Sequence, residues 1–250
     1  MFKNILCKEK NSPNLEPTSE QRFLYTMEIA HIWLEKENDL SQKNIILNYM
    51  MDVIRKDFKT SVIATIFYRE EHFKEYNRRM FFPMSYYNEN GEELKIHDPS
   101  NKESININLQ DECVIPTPWN RKRMKDAVKE IYKRDFIFDP YNHESTYYTP
   151  IDVCHIESGN HSIAAGIGHM KGEIMSKKVD ISKAFPHIFS DGAYWYNVHT
   201  EEKLYSVFDY RFAILFELAK LMYPVYFFGI IMKEWASKIF KAKILVNLYR

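Results

Sequence analysis

The chain has 250 residues, 45% of them apolar and 27% charged, which excludes a largely disordered chain, a collagen-like chain and a coiled-coil rod. Lys plus Arg and Asp plus Glu both number 34, so no global pull toward nucleic acid or an anionic membrane follows, and any basic surface must be local. Cys7, Cys113 and Cys154 form neither a zinc pattern nor a disulfide framework, which points to a reducing cytoplasm rather than secretion.

In chain order, the apolar run within Met1-Phe2-Lys3-Asn4-Ile5-Leu6-Cys7-Lys8-Glu9-Lys10 is too short for a signal-peptide core, and residues 8–17, polar with Pro13 and Pro17, read as a loose leader. Thr18 precedes Gln21 at capping-box spacing. Phe23, Met27, Ala30 and Leu34 recur at helical spacing, which predicts a helix from about 19 to 37. Asn38-Asp39 leads to a second helix, capped by Ser41 and with Ile45, Tyr49, Val53 and Ile54 on one face. The two are expected to form an antiparallel hairpin. Thr60 to Tyr68, β-branched and aromatic, fits a strand or the end of that helix. Residues 79–87 and 93–97 flank Asn88-Glu89-Asn90-Gly91, a hairpin-turn signal that predicts two strands, and Ser104 to Leu109 alternates weakly.

From Glu112 the texture changes. Cys113-Val114-Ile115 is a short strand closed by Pro116 and Pro118. Arg121 to Arg134 is an amphipathic helix with Met124, Val128 and Ile131 as its apolar stripe. Lys122, Lys125, Lys129 and Lys133 form a second stripe; seven Lys/Arg against two acids leave this segment at +5. Such a stripe suits either a solvated helix face or a phosphate-tracking face for nucleic acid. Asp139 to Asn142 is a turn, Ile151 to Ile156 a strand, Ser162 to Met170 a short helix and Glu173 to Ile181 a strand. Residues 185–208 are aromatic and irregular; their rings suit a core or stacking surfaces. Tyr210 to Met222 and Lys233 to Tyr249 are helices. The most apolar window, Leu221 to Met232, spans twelve residues and holds Pro224 and Gly229, short of the about 20 that a membrane helix needs. A cytoplasmic protein with no membrane partner is expected.

Four of the seven glycines fall within residues 159–172. They surround Gly159-Asn160-His161-Ser162, placed between a strand and a helix opened by Ala164 and Ala165. A helix N-terminus presents unpaired N–H groups and a positive dipole end, and a glycine there lets an anion approach. The turn is therefore a candidate phosphate cradle formed by Gly159, Asn160, His161 and Ser162. The same residues also suit an ordinary helix cap.

The surrounding order resembles the ParB/sulfiredoxin-like fold over about 112–178. Val114-Ile115-Pro116-Thr117-Pro118-Trp119-Asn120-Arg121 matches its opening strand and Ile-Pro stretch. The helix from Met124 to Lys133, the Pro150-Ile151-Asp152-Val153 strand entry, the Gly159-to-Ala165 turn and Gly172-Glu173-Ile174 follow in order. The whole chain also resembles uncharacterised bacterial families with an Asn-His-Ser motif. The resemblance implies a nucleotide- or nucleic-acid-phosphate site, with hydrolysis or nucleotide-gated switching. His161 would orient phosphate or act as acid/base, Glu157 would be its carboxylate partner or a metal ligand, and a nucleoside triphosphate with Mg would be the cofactor. Two departures matter. Ser162 stands where phosphate-handling members carry arginine, and Asn160 stands where the sulfinic-acid reductase branch has its cysteine. The alternative implied is a DNA-associated or protein-interaction module that keeps the fold without the chemistry.

Six of nine histidines lie between 143 and 199 (His143, His155, His161, His169, His187 and His199), but none has tight metal-ligand spacing, so no metal is assigned. Cys154 and His155 alternate across a strand, which argues against a nucleophile pair. The fold class expected is α+β: a small mixed sheet in a ParB/sulfiredoxin-like core at 111–182. It is flanked by a helical hairpin plus β-hairpin at 18–110 and an aromatic-rich segment with C-terminal helices at 183–250, all in one body spanning 1–250.

Overall fold

The computed structural model describes residues 16–69, 81–98, 100 and 102–223. Thr18 opens α1 (Ser19–Glu35) with a full capping box. Its Oγ1 accepts the Gln21 N–H at 3.2 Å, and Gln21 Oε1 accepts the Thr18 N–H at 2.9 Å. Phe23, Met27, Ala30 and Leu34 are all buried, as their spacing predicts. The second helix, α2 (Leu40–Tyr68), absorbs Thr60 to Tyr68, so that run is helix and not strand. Its cap is Asp39, whose Oδ1 accepts the Ser41 N–H at 2.9 Å, rather than Ser41 itself.

The apolar face of α2 is not the expected one. Leu47, Met50, Met51, Phe58, Val62 and Ile66 are buried, whereas of the four residues expected there Ile45, Tyr49 and Val53 are 61%, 62% and 47% exposed and only Ile54 packs, half-buried, against the core. The helix carries apolar residues on more than one side, so periodicity alone does not choose between them. Packing against a C-terminal helix, α5 (Tyr210–Leu221), and the strand β4 described below does.

The Asn-Gly signal forms its hairpin, β1 (Ser85–Tyr87) with β2 (Glu93–Lys95), and Gly91 sits at φ +78°. The main sheet has five strands in the order β3-β7-β5-β6-β4: β3 (Ser104–Asn108), β4 (Cys113–Ile115), β5 (Ser145–Thr149), β6 (Val153–Ile156) and β7 (Glu173–Asp180). β4 runs parallel to β6 and β5 parallel to β7, while the β3–β7 and β5–β6 pairs are antiparallel. The central strand β5 was not expected. Its sequence, Ser-Thr-Tyr-Tyr-Thr, is rich in strand formers but lies squeezed between a turn and Pro150.

Strand alternation assigns the two faces. Val114, Tyr147, Cys154 and Ile156 join Ile163 of α4 (Asn160–Gly168) on one side. Cys113, Ile115, Tyr148 and Val153 face the other side, in one cluster with α1, α2 and α5. A further helix, α3 (Arg121–Lys133), packs on α4 through Met124 and Ile131 against Ala164 and Ala165. The class is therefore α+β, a mixed sheet with an N-terminal helical pair and a C-terminal helix.

The stretch 185–208 is not irregular. It forms an antiparallel sheet of β8 (Ile188–Ser190), β9 (Tyr194–Asn197) and β10 (Lys203–Ser206). Three- and four-residue strands rich in aromatics give too short an alternation to read. α5 lies beneath them, buried even at Glu217 and Lys220. Lys220 Nζ donates to the Ile188 carbonyl at 2.7 Å, Glu217 Oε1 accepts the Ser190 N–H at 3.0 Å, and the two side chains pair with one another at 3.5 Å. The expected terminal helix at 233–249, leader residues 8–15 and most of the apolar window 221–232 lie outside the described residues. Among the described residues, no helix is long and apolar enough to cross a membrane.

Candidate functional site

The Gly159–Ser162 turn is a strand-to-helix turn beside the main sheet. Gly159 caps α4 at φ 79°, ψ 19°, the left-handed region that favours glycine. The space over it is filled: a Cβ there would lie 2.4 Å from His143 Cδ2 and 2.8 Å from the Asn142 carbonyl oxygen. The glycine thus admits the 142–143 loop to the turn, where the sequence reading has an anion.

Each side chain of the motif grips a neighbouring segment. Asn160 Oδ1 accepts the Thr117 N–H at 2.6 Å. His161 Nε2 accepts the Asn120 N–H at 3.1 Å, and its ring meets Trp119 edge-on at 5.4 Å. Ser162 Oγ donates to the Gly159 carbonyl at 3.0 Å and lies 2.9 Å from His143 Nε2. His143 Nδ1 accepts the Asp139 N–H at 3.0 Å, so in the neutral ring the proton sits on Nε2 and points at Ser162. Burial pushes the His143 pKa down and holds that neutral form, against a smaller opposing effect of Asp139. In this tautomer His143 donates to Ser162 and does not activate it as a base would.

Glu157 and His161 have different partners. Thr146 Oγ1 donates to Glu157 Oε1 at 2.6 Å, across the β5–β6 pair. The Glu157 charge acts on His97, His155 and Tyr148 and, through the sheet, on Cys154. The acid/base pairing of His161 with Glu157 stays an expectation: one hydrogen bond takes His161 to Asn120 and another takes Glu157 to Thr146. Cys113 and Cys154 are buried free thiols, each with its pKa pushed up to about 12 by burial. That is the opposite of an activated nucleophile.

The basic stripe is intact. Lys122, Lys125, Lys129 and Lys133 are all exposed on α3, with Met124 and Ile131 buried beneath. Asn120 caps the helix, its Oδ1 accepting the Arg123 N–H at 2.9 Å. The Arg123 guanidinium lies 5.4 Å over the Trp119 ring, which is 39% exposed, and Tyr132 is 74% exposed further along. Arg121 is spent on structure, bonding the Ile66 carbonyl at 2.9 Å and the Arg69 carbonyl. His169 Nε2 meets the Val128 carbonyl at 3.0 Å, so histidines at both ends of α4 fasten it to the α3 segment. Thr117, Asn120 and His143 complete this arrangement, a role that the sequence reading gives to none of them. Only Asn120, a cap residue before a basic helix, carried a local signal.

One convergence of metal-ligand types appears among the described residues: Glu89, His187 and His199, whose ligand atoms lie within 4.8 Å of one another. Their wide separation in sequence left no spacing motif to find.

A model of a family of unknown function (DUF6710) matches residues 8–227. No curated protein and no solved structure matches the chain.

Proposed function

The chain belongs to the family of unknown function DUF6710, and we propose that it binds the phosphate backbone of nucleic acid through α3, without catalysis at the α4 turn. The observation that carries this reading is the row of Lys122, Lys125, Lys129 and Lys133, exposed on one face of a helix beside the partly exposed ring of Trp119. Lysines spaced along a helix neutralise successive phosphates and release condensed counterions, and an aromatic at the end of the row offers a base a stacking face. The face is held rigidly, because His161 and His169 fasten α4 to the α3 segment. A cytoplasmic location belongs to this proposal.

The proposal keeps the ParB/sulfiredoxin-like reading of 112–178. The order β4, α3, β6, α4, β7 and the parallel β4–β6 pair support it. Strand β5, inserted between α3 and β6, is an addition that the resemblance does not supply. A nucleotide phosphate at Gly159–Ser162 has one observation in its favour, the left-handed Gly159 that opens α4 and leaves first-turn N–H groups at the helix start. Against it, Asn160, His161 and Ser162 are each engaged with protein groups.

The test is fluorescence anisotropy of labelled duplex and single-stranded oligonucleotides with the wild-type chain and with Lys122→Gln/Lys125→Gln/Lys129→Gln/Lys133→Gln. Binding in the micromolar range or tighter, lost in the variant without a change in melting temperature, is the expected result. Absence of wild-type binding at low salt refutes the proposal. A rise in melting temperature with ATP and Mg, removed by Gly159→Val, would move the function back to the turn.

A further inference from the structure

The β1–β2 hairpin reaches the β8–β10 sheet at a cluster of three ligand-type side chains. Glu89 sits in the hairpin turn, His187 just before β8 and His199 in the β9–β10 turn. His187 Nδ1 lies 2.9 Å from His199 Nε2 and 3.8 Å from Glu89 Oε2. Ligands at about 2.0–2.1 Å from a tetrahedral ion stand roughly 3.3 Å apart, so the two separations straddle what such an ion needs. Two imidazoles and a carboxylate are a borderline-soft donor set, suited to zinc and its neighbours and not to magnesium or calcium. Three protein ligands leave a fourth position for water.

The surroundings hold the ligands in place. The Tyr86 ring, itself buried, stacks on His187 at 5.4 Å and 19°. Asn197, fully buried, accepts the His199 N–H at 2.9 Å with Oδ1 and donates from Nδ2 to the Tyr87 carbonyl at 2.7 Å. One side chain thus fixes both the turn that carries His199 and the hairpin that carries Glu89. Supporting contacts of this kind orient metal ligands.

We propose that Glu89, His187 and His199 bind one divalent ion of the zinc class, which fastens the β1–β2 hairpin to the β8–β10 sheet. Both imidazoles bind neutral: the ring that carries the proton of the His187 Nδ1–His199 Nε2 hydrogen bond passes to its other tautomer, so that His187 ligates through Nδ1 and His199 through Nε2 with no net loss of protons. The site is separate from the α3 face, and neither depends on the other.

The full-length protein, stripped with chelator, is titrated with Co²⁺ and then Zn²⁺. The expected result is a visible d–d absorption of tetrahedral strength that saturates near about one equivalent and is displaced by Zn²⁺, with a higher melting temperature in the zinc form. His199→Ala should abolish the band. Because His187 also packs on Tyr86, its replacement can disturb the fold; Glu89→Gln, at an exposed position, keeps the fold and should weaken affinity about 10-fold or more. A weak octahedral-type spectrum, or a band equally strong in wild type, Glu89→Gln and His199→Ala, overturns the proposal and leaves His187 and His199 as a hydrogen-bonded pair.

Discussion

Asn160 Oδ1 accepts the backbone N–H of Thr117 at 2.6 Å, so the first residue of α4 is tied to the segment that leads into α3. Thr117 is buried, and without Asn160 its N–H has no water to turn to. Asn160→Ala should therefore cost about 1–3 kcal/mol of stability, measured by urea unfolding. Oligonucleotide binding by the folded variant should stay near wild type. A stable variant that had lost binding would mean that Asn160 touches ligand.

His161 is the sharper case. Its Nε2 accepts the Asn120 N–H, and its ring lies against Trp119. From sequence, an exposed histidine with a purely chemical role predicts little loss of stability on truncation. The structure gives the opposite expectation: His161→Ala should destabilise by about 1–2 kcal/mol. His161→Gln, which keeps an acceptor, should recover part of it. A His161→Ala protein as stable as wild type would return this residue to a role at a ligand.

Gly159→Ala tests why the glycine is there. The position combines φ 79° with a Cβ site 2.4 Å from His143. The left-handed backbone alone costs a non-glycine residue about 1–2 kcal/mol, and displacing the 142–143 loop adds to it. A fall in melting temperature that His143→Ala in the same chain partly relieves is the expected outcome. Additive losses in the double variant would show that the two do not press on one another.

Stability should decline in mild acid. Burial against Phe81 pushes the His155 pKa down to about 4, and burial also lowers those of His31, His97 and His143. Above about pH 6.5 these rings are neutral in both folded and unfolded chains, and the full stability is present. As the pH falls below that value the unfolded chain takes up protons first, so stability is lost until the folded state also titrates, near pH 4 for His155. His155 alone contributes a slope of up to about 1.4 kcal/mol per pH unit in that window. Urea midpoints at pH 7 and pH 5 should therefore differ in wild type, and the difference should shrink in His155→Leu. An equal pH dependence in both proteins would place the titrating groups elsewhere.

Several elements were legible because local chemistry and burial agree there. Thr18 and Gln21 make their capping box, Phe23 to Leu34 form the buried stripe of α1, and Asn90-Gly91 turns its hairpin. Where the sequence allowed two answers, tertiary packing chose. α2 buries Leu47 and Met51 rather than Ile45 and Tyr49, because α5 and β4 lie on that side. Strand β5 and the β8–β10 sheet escaped because their signals are short and set among turn residues. The glycine-rich turn was legible as a turn, but its partners were not. His143 and Thr117 reach it from loops 16 and 42 residues away from Gly159, and nothing in local spacing announces such contacts. For the same reason, Glu89, His187 and His199 meet only once the hairpin and the second sheet are folded.

The most direct measurement is the salt dependence of oligonucleotide binding. For a chain that contacts phosphates through Lys122, Lys125, Lys129 and Lys133, the logarithm of the binding constant should fall linearly with the logarithm of salt concentration. The slope for duplex DNA should be about −3 to −4. Each Lys→Gln replacement in the row should flatten that slope by about 1, while His161→Gln leaves it unchanged. A slope near zero, or one that the lysine variants do not alter, would contradict the assignment of α3 as the phosphate-binding face.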